Sequence, residues 1–171
     1  MSEKLREGGV PPHTGPGAPA PPLEALYQEV ILSHSRRPRN HREIDEPTAR
    51  VHRNNPTCGD EIALSVRMAG GRVAEVGFTG LGCSISQSSA SMMTGLLEGR
   101  TLTEAAELAA AFRELVHGRA TPAESRQLGE LRALAGVAKF PVRVRCAMLA
   151  WDALSEAVRE IESQPHPTSD E

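Results

Sequence analysis

Two runs of alternating apolar residues flank Gly70-Gly71, and they constrain this chain more than any other feature. Ile62, Leu64, Val66 and Met68 alternate with polar or small residues on one side, and Ala74, Val76 and Phe78 alternate on the other. A period of two marks a strand with one buried face. Paired glycines suit a two-residue turn that needs positive φ at both positions. The spacing therefore predicts an antiparallel hairpin. Its open ends carry Cys58-Gly59-Asp60 just before the first strand and Cys83, in Gly80-Leu81-Gly82-Cys83-Ser84, just after the second. The hairpin makes Cys58 and Cys83 spatial neighbours although they lie far apart in the chain.

The chain has three cysteines, and the third is Cys146 in Pro141-Val142-Arg143-Val144-Arg145-Cys146. Three soft ligands with the Asp60 carboxylate suit one tetrahedral zinc ion or one edge of an iron–sulfur cluster. Alternate residues of an extended strand point the same way, so Cys58 and Asp60 are expected to chelate together. Three thiolates and a carboxylate overbalance a divalent ion, and Lys139, Arg143 and Arg145 stand close enough in sequence to offset the excess. There is no Cys-x2-Cys knuckle. The residues alone leave two readings open, a metal site and three unrelated structural cysteines.

Residues 1–22 are rich in Pro, Gly and Ala and read as a disordered extension, and residues 163–171 read as a second, shorter tail. Residues 23–162 remain for one domain. A net charge of −3 and only 3% aromatic residues argue against nucleic-acid binding. No apolar run approaches the roughly 18 residues of a membrane span, and the N-terminus has no apolar signal-peptide core. An odd cysteine count in such a chain points to a reducing cytoplasm.

Helical periodicity covers Leu23 to about Ser35, with Leu23, Leu26, Tyr27, Val30, Ile31 and His34 on one face. Arg36, Arg37, Arg39 and Arg42 follow, either as a solvated connection or as a docking patch for an acidic partner. A second helix runs from Cys83 to about Glu98, with a stripe of Ile85, Met92, Met93, Leu96 and Leu97. Its serines, Ser84, Ser86, Ser88, Ser89 and Ser91, are small enough to let it lie close to a sheet. Cys83 falls at its N-terminus, where free N–H groups favour an anion. Thr101…Glu104 and Thr121…Glu124 are capping boxes opening two more helices. An irregular stretch follows from about Gly129 to Lys139. Pro141 opens the last helix, whose apolar face holds Cys146, Leu149, Ala150, Ala153, Leu154, Ala157, Val158 and Ile161. His52 reads as an exposed histidine and Trp151 as a packing residue.

Three stretches carry a resemblance: Asn55-Pro56-Thr57-Cys58-Gly59-Asp60, Gly80-Leu81-Gly82-Cys83-Ser84-Ile85-Ser86, and Lys139-Phe140-Pro141-Val142-Arg143-Val144-Arg145-Cys146-Ala147. They resemble the signatures of the IscU/NifU family of iron–sulfur biogenesis proteins, and more closely its SufU branch. Leu26-Tyr27, His34 and Pro38-Arg39-Asn40 fit the same branch, and the likeness runs in order over about residues 23–162. Scaffold members of the family have a histidine immediately before the third cysteine, where this chain has Arg145. Members of the SufU type carry extra residues between the second and third cysteines, and the segment from about Gly99 to Lys139 is long enough to hold them. Arginine cannot ligate a metal, which favours sulfur transfer over cluster assembly.

The resemblance implies an α+β fold, with a small antiparallel three-stranded sheet (the hairpin plus a short edge strand) packed against several helices. It implies a zinc-dependent sulfurtransferase that accepts persulfide sulfur from a SufS-type cysteine desulfurase and passes it toward a SufB-containing assembly complex. Cys58 is then acceptor and zinc ligand. Asp60, Cys83 and Cys146 are ligands, and Arg145 orients or neutralises charge around them. Two alternatives accompany this reading: a scaffold that assembles and transfers a [2Fe–2S] cluster on the same residues, and a structural zinc domain without sulfur chemistry. The extension over residues 1–22 is longer than the family usually has, and no role is assigned to it.

Overall fold

Gly70 and Gly71 sit at φ 61° and 76°, the left-handed pair that a two-residue hairpin turn demands. On either side, β2 (Asp60–Ala69) and β3 (Arg72–Leu81) run antiparallel, with Ala69 opposite Arg72 and Glu61 opposite Leu81. The register slips between Arg67 and Met68. This bulge places Val73 opposite Met68, so Val73 is buried and Ala74 is exposed. The alternation expected on the return strand therefore holds for Val76 and Phe78 and fails at Ala74, because one extra residue turns the strand end over. A third strand, β1 (Ala49–Asn55), pairs antiparallel with β2, and the sheet order is β1-β2-β3. His52 lies exposed on β1.

The computed structural model describes residues 23–165. The expected disorder of residues 1–22 falls outside them, as do residues 166–171 of the tail expected over residues 163–171, whose first residue, Ser163, ends a helix. Five α-helices complete the described fold: α1 (Leu23–Arg36), α2 (Ser84–Leu97), α3 (Leu102–Val116), α4 (Pro122–Gln127) and α5 (Pro141–Ser163). The α+β architecture is the one expected. Both capping boxes form, with Thr101 bonded reciprocally to Glu104 and Thr121 to Glu124. Gln164, one residue past α5, donates its side-chain amide to the Thr48 carbonyl at 2.9 Å. No helix among the described residues is long and apolar enough to cross a membrane.

The stretch expected to be irregular is a 3₁₀ helix, Gly129–Lys139. Leu131, Leu134 and Val137 are all buried. They recur every third residue, which matches three residues per turn and puts them on one edge.

The core joins Leu64, Val66, Val76 and Phe78 of the sheet to Met93, Leu97, Phe112, Trp151 and Leu154 of the helices. Trp151 is fully buried, stacked on Phe112 with ring centroids 4.7 Å apart, and its indole N–H reaches Ser89 Oγ at 3.1 Å. Ser89 in turn donates to the Ala147 carbonyl at 2.7 Å. Four serines of α2, Ser86, Ser88, Ser89 and Ser91, are buried, whereas Ile85 and Leu96 of the expected stripe are only half-buried. The close approach these serines permit is to α5 and α1 more than to the sheet. Ser91 Oγ meets His34 Nδ1 of α1 at 2.7 Å and accepts the Arg39 N–H at 2.8 Å. His34 Nε2 lies 2.8 Å from Glu130, so this network ties α1, α2 and the 3₁₀ helix together. The arginine-rich connection after α1 is a packed crossing: Asn40 accepts the Phe78 N–H at 3.0 Å, and Arg42 pairs with Glu75 at 2.7 Å.

Candidate metal centre

Asn55 and Asp60 face each other at the end of the β1–β2 ladder, so the four residues Pro56–Gly59 form a tight turn. Asn55 shapes it by accepting the Gly59 N–H on its carbonyl at 2.8 Å and the Thr57 N–H on Oδ1 at 3.1 Å. Gly59 takes φ 77°, a conformation that glycine adopts readily. Cys58 therefore rides on a turn. It is not part of β2, and the expected strand alternation with Asp60 is not what aligns the two. The reversal of the turn aligns them.

Cys58 is exposed, Cys83 half-buried and Cys146 buried. Asp60 is 3% exposed. Cys146 Sγ lies 3.4 Å from Cys58 Sγ, and the ligating atoms of Cys58, Asp60 and Cys146 all fall within 4.8 Å of one another. Cys83 stands beside this trio. It is the N-cap of α2, its N–H donates to Asp60 Oδ1 at 3.1 Å, and its thiol lies 3.4 Å from Oδ2. Asp60 thus bridges Cys83 to the Cys58–Cys146 pair.

Burial works to raise the Asp60 carboxyl, but hydrogen bonds from the Cys58 and Cys83 thiols, the Cys83 N–H and Cys146 outweigh it and hold the group below its ordinary range. Burial, reinforced by Cys58 and Cys83, pushes the Cys146 thiol far up. A thiol whose value is raised on folding stabilises the fold fully below its unfolded value and loses that contribution as pH rises beyond it. Metal-stripped protein is therefore expected to melt at progressively lower temperature as pH rises above 9.0, the thiol's ordinary value. In Cys146→Ala this alkaline slope should flatten. An equal slope in the variant would assign it to other groups.

The Cys146 sulfur first, then the charge of Cys83, raise the Arg143 guanidinium above its ordinary value. Arg145, the residue expected to orient or neutralise charge, lines a cleft with Arg53, Arg113, His117 and Asp152. Helical spacing explains the difference: residues three apart share a face, and adjacent residues do not. That spacing from Cys146 was the signal for Arg143 in the sequence. Arg143 was among the cations expected to offset the charge of the site, whereas Gly82 was assigned no role from the sequence. A Cβ there would collide with Ser86 Oγ and stand 3.2 Å from Asp60 Cγ. Gly82→Ala is expected to displace Asp60 and weaken metal binding about 10–100-fold, readable by chelator competition. Unchanged affinity would mean that Ser86 yields instead.

The donor set fits a zinc ion. Two thiolates on one tetrahedral zinc stand roughly 3.8 Å apart, close to the Cys58–Cys146 separation, and the Asp60 oxygen fills the same cluster. Near this centre in sequence, Leu81, Phe140 and Val142 are exposed at 72%, 59% and 57%, the large hydrophobic residues most open to solvent among the described residues.

Residues 26–147 match the family model of the NifU-like N terminal domain. The chain is 45% identical to the iron–sulfur cluster assembly scaffold protein IscU of Streptococcus pyogenes serotype M1, over 85% of this chain and 91% of that protein. It is 41% identical to the zinc-dependent sulfurtransferase SufU of Bacillus subtilis (strain 168), over 82% of this chain and 94% of that protein. The N-terminal part of a nitrogen-fixing NifU-like protein from Brucella abortus superposes with a TM-score of 0.75 at 20% identity, covering 84% of this chain and 99% of that one, and so shares the fold. The chain belongs to the NifU-like N-terminal domain family, and its relatives include both a protein named an IscU scaffold and one named SufU.

Proposed function

We propose that this protein is a zinc-dependent sulfur carrier that accepts persulfide sulfur from a SufS-type cysteine desulfurase for iron–sulfur cluster assembly. Cys58 is the acceptor, and Cys58, Asp60, Cys83 and Cys146 hold the metal. One observation carries the reading: exposure is graded across the cluster, with Cys58 open on its turn while Asp60 and Cys146 are buried. Only one sulfur is both part of the centre and easily reached by a donor. Bound zinc would keep the sulfurs of the centre deprotonated.

The chain's own residues define the transfer. The Cys58 thiolate attacks the outer sulfur of the desulfurase persulfide, the S–S bond of that persulfide breaks, and the desulfurase cysteine departs as a thiolate. Cys58 is left carrying one extra sulfur. Asp60 stays fixed by the Cys83 N–H, and Arg143 places positive charge beside Cys146 and Cys83. The open turn around Gly59 gives Cys58 room to move, and the exposed apolar trio of Leu81, Phe140 and Val142 suits docking of a protein donor. The relative named a zinc-dependent sulfurtransferase supports this chemistry. The SufB-containing complex is the proposed onward acceptor.

The relative named an IscU scaffold protein favours the second reading, a [2Fe–2S] cluster assembled on the same residues. Arg145 weighs against it, since an arginine before the third cysteine supplies no ligand. The deciding experiment incubates the protein with a SufS-type desulfurase and cysteine, alkylates the products and maps the peptides. Extra sulfur on the Cys58 peptide, with faster alanine production, is expected. Sulfur on Cys83 alone, or none on any cysteine with unchanged turnover, would overturn the assignment.

A further inference from the structure

The Cys58 and Cys146 sulfurs stand 3.4 Å apart, within the range at which two reacting atoms count as poised for attack. The pair is asymmetric, since Cys58 is exposed and Cys146 buried. A donor reaches the exposed Cys58 from solvent, whereas Cys146 is buried. Displacement at a sulfur requires the attacker opposite the leaving group, and Cys146, 3.4 Å away, is close enough to fill that position. Cys83 does not fill it: its thiol is engaged 3.4 Å from Asp60 Oδ2 and 3.9 Å from Ser86 Oγ. Burial also screens Cys146 from electrophiles in solution, so a persulfide sulfur on its own chain is the one within its reach.

We infer that Cys146 is the resolving thiol for sulfur carried on Cys58, which rests on the reading of Cys58 as acceptor. The Cys146 sulfur attacks Cys58 Sγ, a Cys58–Cys146 disulfide forms, and the bond from Cys58 Sγ to the outer sulfur breaks. The outer sulfur takes both electrons of that bond and leaves as sulfide, keeping its own proton and taking any further one from water. The two cysteines are oxidised by the two electrons that reduce the outer sulfur, so release needs no outside reductant. A dithiol reductant then reopens the disulfide for the next cycle. The protein thereby has two exits for its cargo, handover of the outer sulfur to another thiol and release as sulfide. The second delivers the form that a cluster-building reaction consumes.

The test treats the zinc-loaded full chain anaerobically with sodium tetrasulfide, removes the excess and follows the products. Loss of the extra sulfur from the Cys58 peptide should match, mole for mole, the appearance of a Cys58–Cys146 cross-link and of free sulfide. Zinc should be released to a chromogenic chelator at the same rate, because the cross-link removes two donors. In Cys146→Ala the extra sulfur on Cys58 should persist at least about tenfold longer. The wild-type cross-link map stands independently of that variant's folding. A Cys58 persulfide that persists in the wild type, sulfide released without a cross-link, or a cross-link to Cys83 would overturn the inference while leaving Cys58 as acceptor. Failure of Cys58 to take up sulfur at all would overturn both.

Discussion

Replacing Cys58 by serine is expected to reduce sulfur transfer from a SufS-type desulfurase by at least about a hundredfold, leaving alanine production at the rate of the desulfurase alone. The hydroxyl that remains is far too weak an acid to supply an anionic nucleophile. The neighbouring sulfurs cannot substitute: Cys146 is buried, and Cys83 lies against the Asp60 carboxylate. The fold should tolerate the change. Cys58 sits exposed on a turn that Asn55 and Gly59 shape without it, and exposed substitutions of this kind usually stay within about 0.5 kcal/mol. Alanine production and a chemical melt of the metal-stripped protein, measured on one preparation, check both halves. Undiminished stimulation by Cys58→Ser would remove Cys58 as the acceptor and put sulfur uptake on another residue.

Trp151→Ala should be among the most damaging single changes in the domain, costing about 3–5 kcal/mol. The indole is fully buried, stacked on Phe112 of α3 and bonded to Ser89 of α2. It therefore fastens α5, which carries Cys146, to α2, which begins after Cys83. Its loss opens a cavity between the two helices that set the metal donors. Urea titration gives the stability, and chelator competition should show weaker metal binding alongside it. Trp151→Phe retains most of the ring packing and loses the bond to Ser89, worth about 1 kcal/mol. Equal losses for the two variants would place the energy in the hydrogen bond rather than the packing.

The glycine pair, the two capping boxes and the three cysteine stretches announced most of the architecture, because each is a local signal with one strong physical reading. The features that escaped notice depend on tertiary context. The bulge at Arg67–Met68 exchanges Val73 for Ala74 in the core, and no turn residue marks it. Leu131, Leu134 and Val137 carry a three-residue period, but the glycines at 129 and 136 made the stretch look irregular. The serines of α2 were legible as small residues. Their partners, His34, Ala147 and Trp151, come from α1 and α5, and a sequence does not show which helices meet. At the centre, chain order brought Cys58, Asp60 and Cys83 together through the hairpin. Cys146 joins only because α5 packs across the sheet. Arg143 and Arg145 were both legible as cations near Cys146, and helical spacing is the signal that sets Arg143 on the Cys146 face.

Arg143→Glu and Arg145→Glu separate those two positions. The first puts a like charge beside Cys146 and Cys83 and is expected to weaken metal binding about tenfold or more, whereas the second, aimed at the cleft beside Asp152, should leave it within about twofold. The reverse order of effects would restore Arg145 to the centre.

The identity and ligands of the bound metal decide the central claim most directly. Elemental analysis and X-ray absorption at the zinc edge, on protein purified anaerobically without added metal, should find close to one zinc per chain with three sulfur neighbours and one oxygen neighbour. Iron with inorganic sulfide in place of zinc, or zinc lacking the sulfur of Cys58 or Cys146 in its shell, would contradict it.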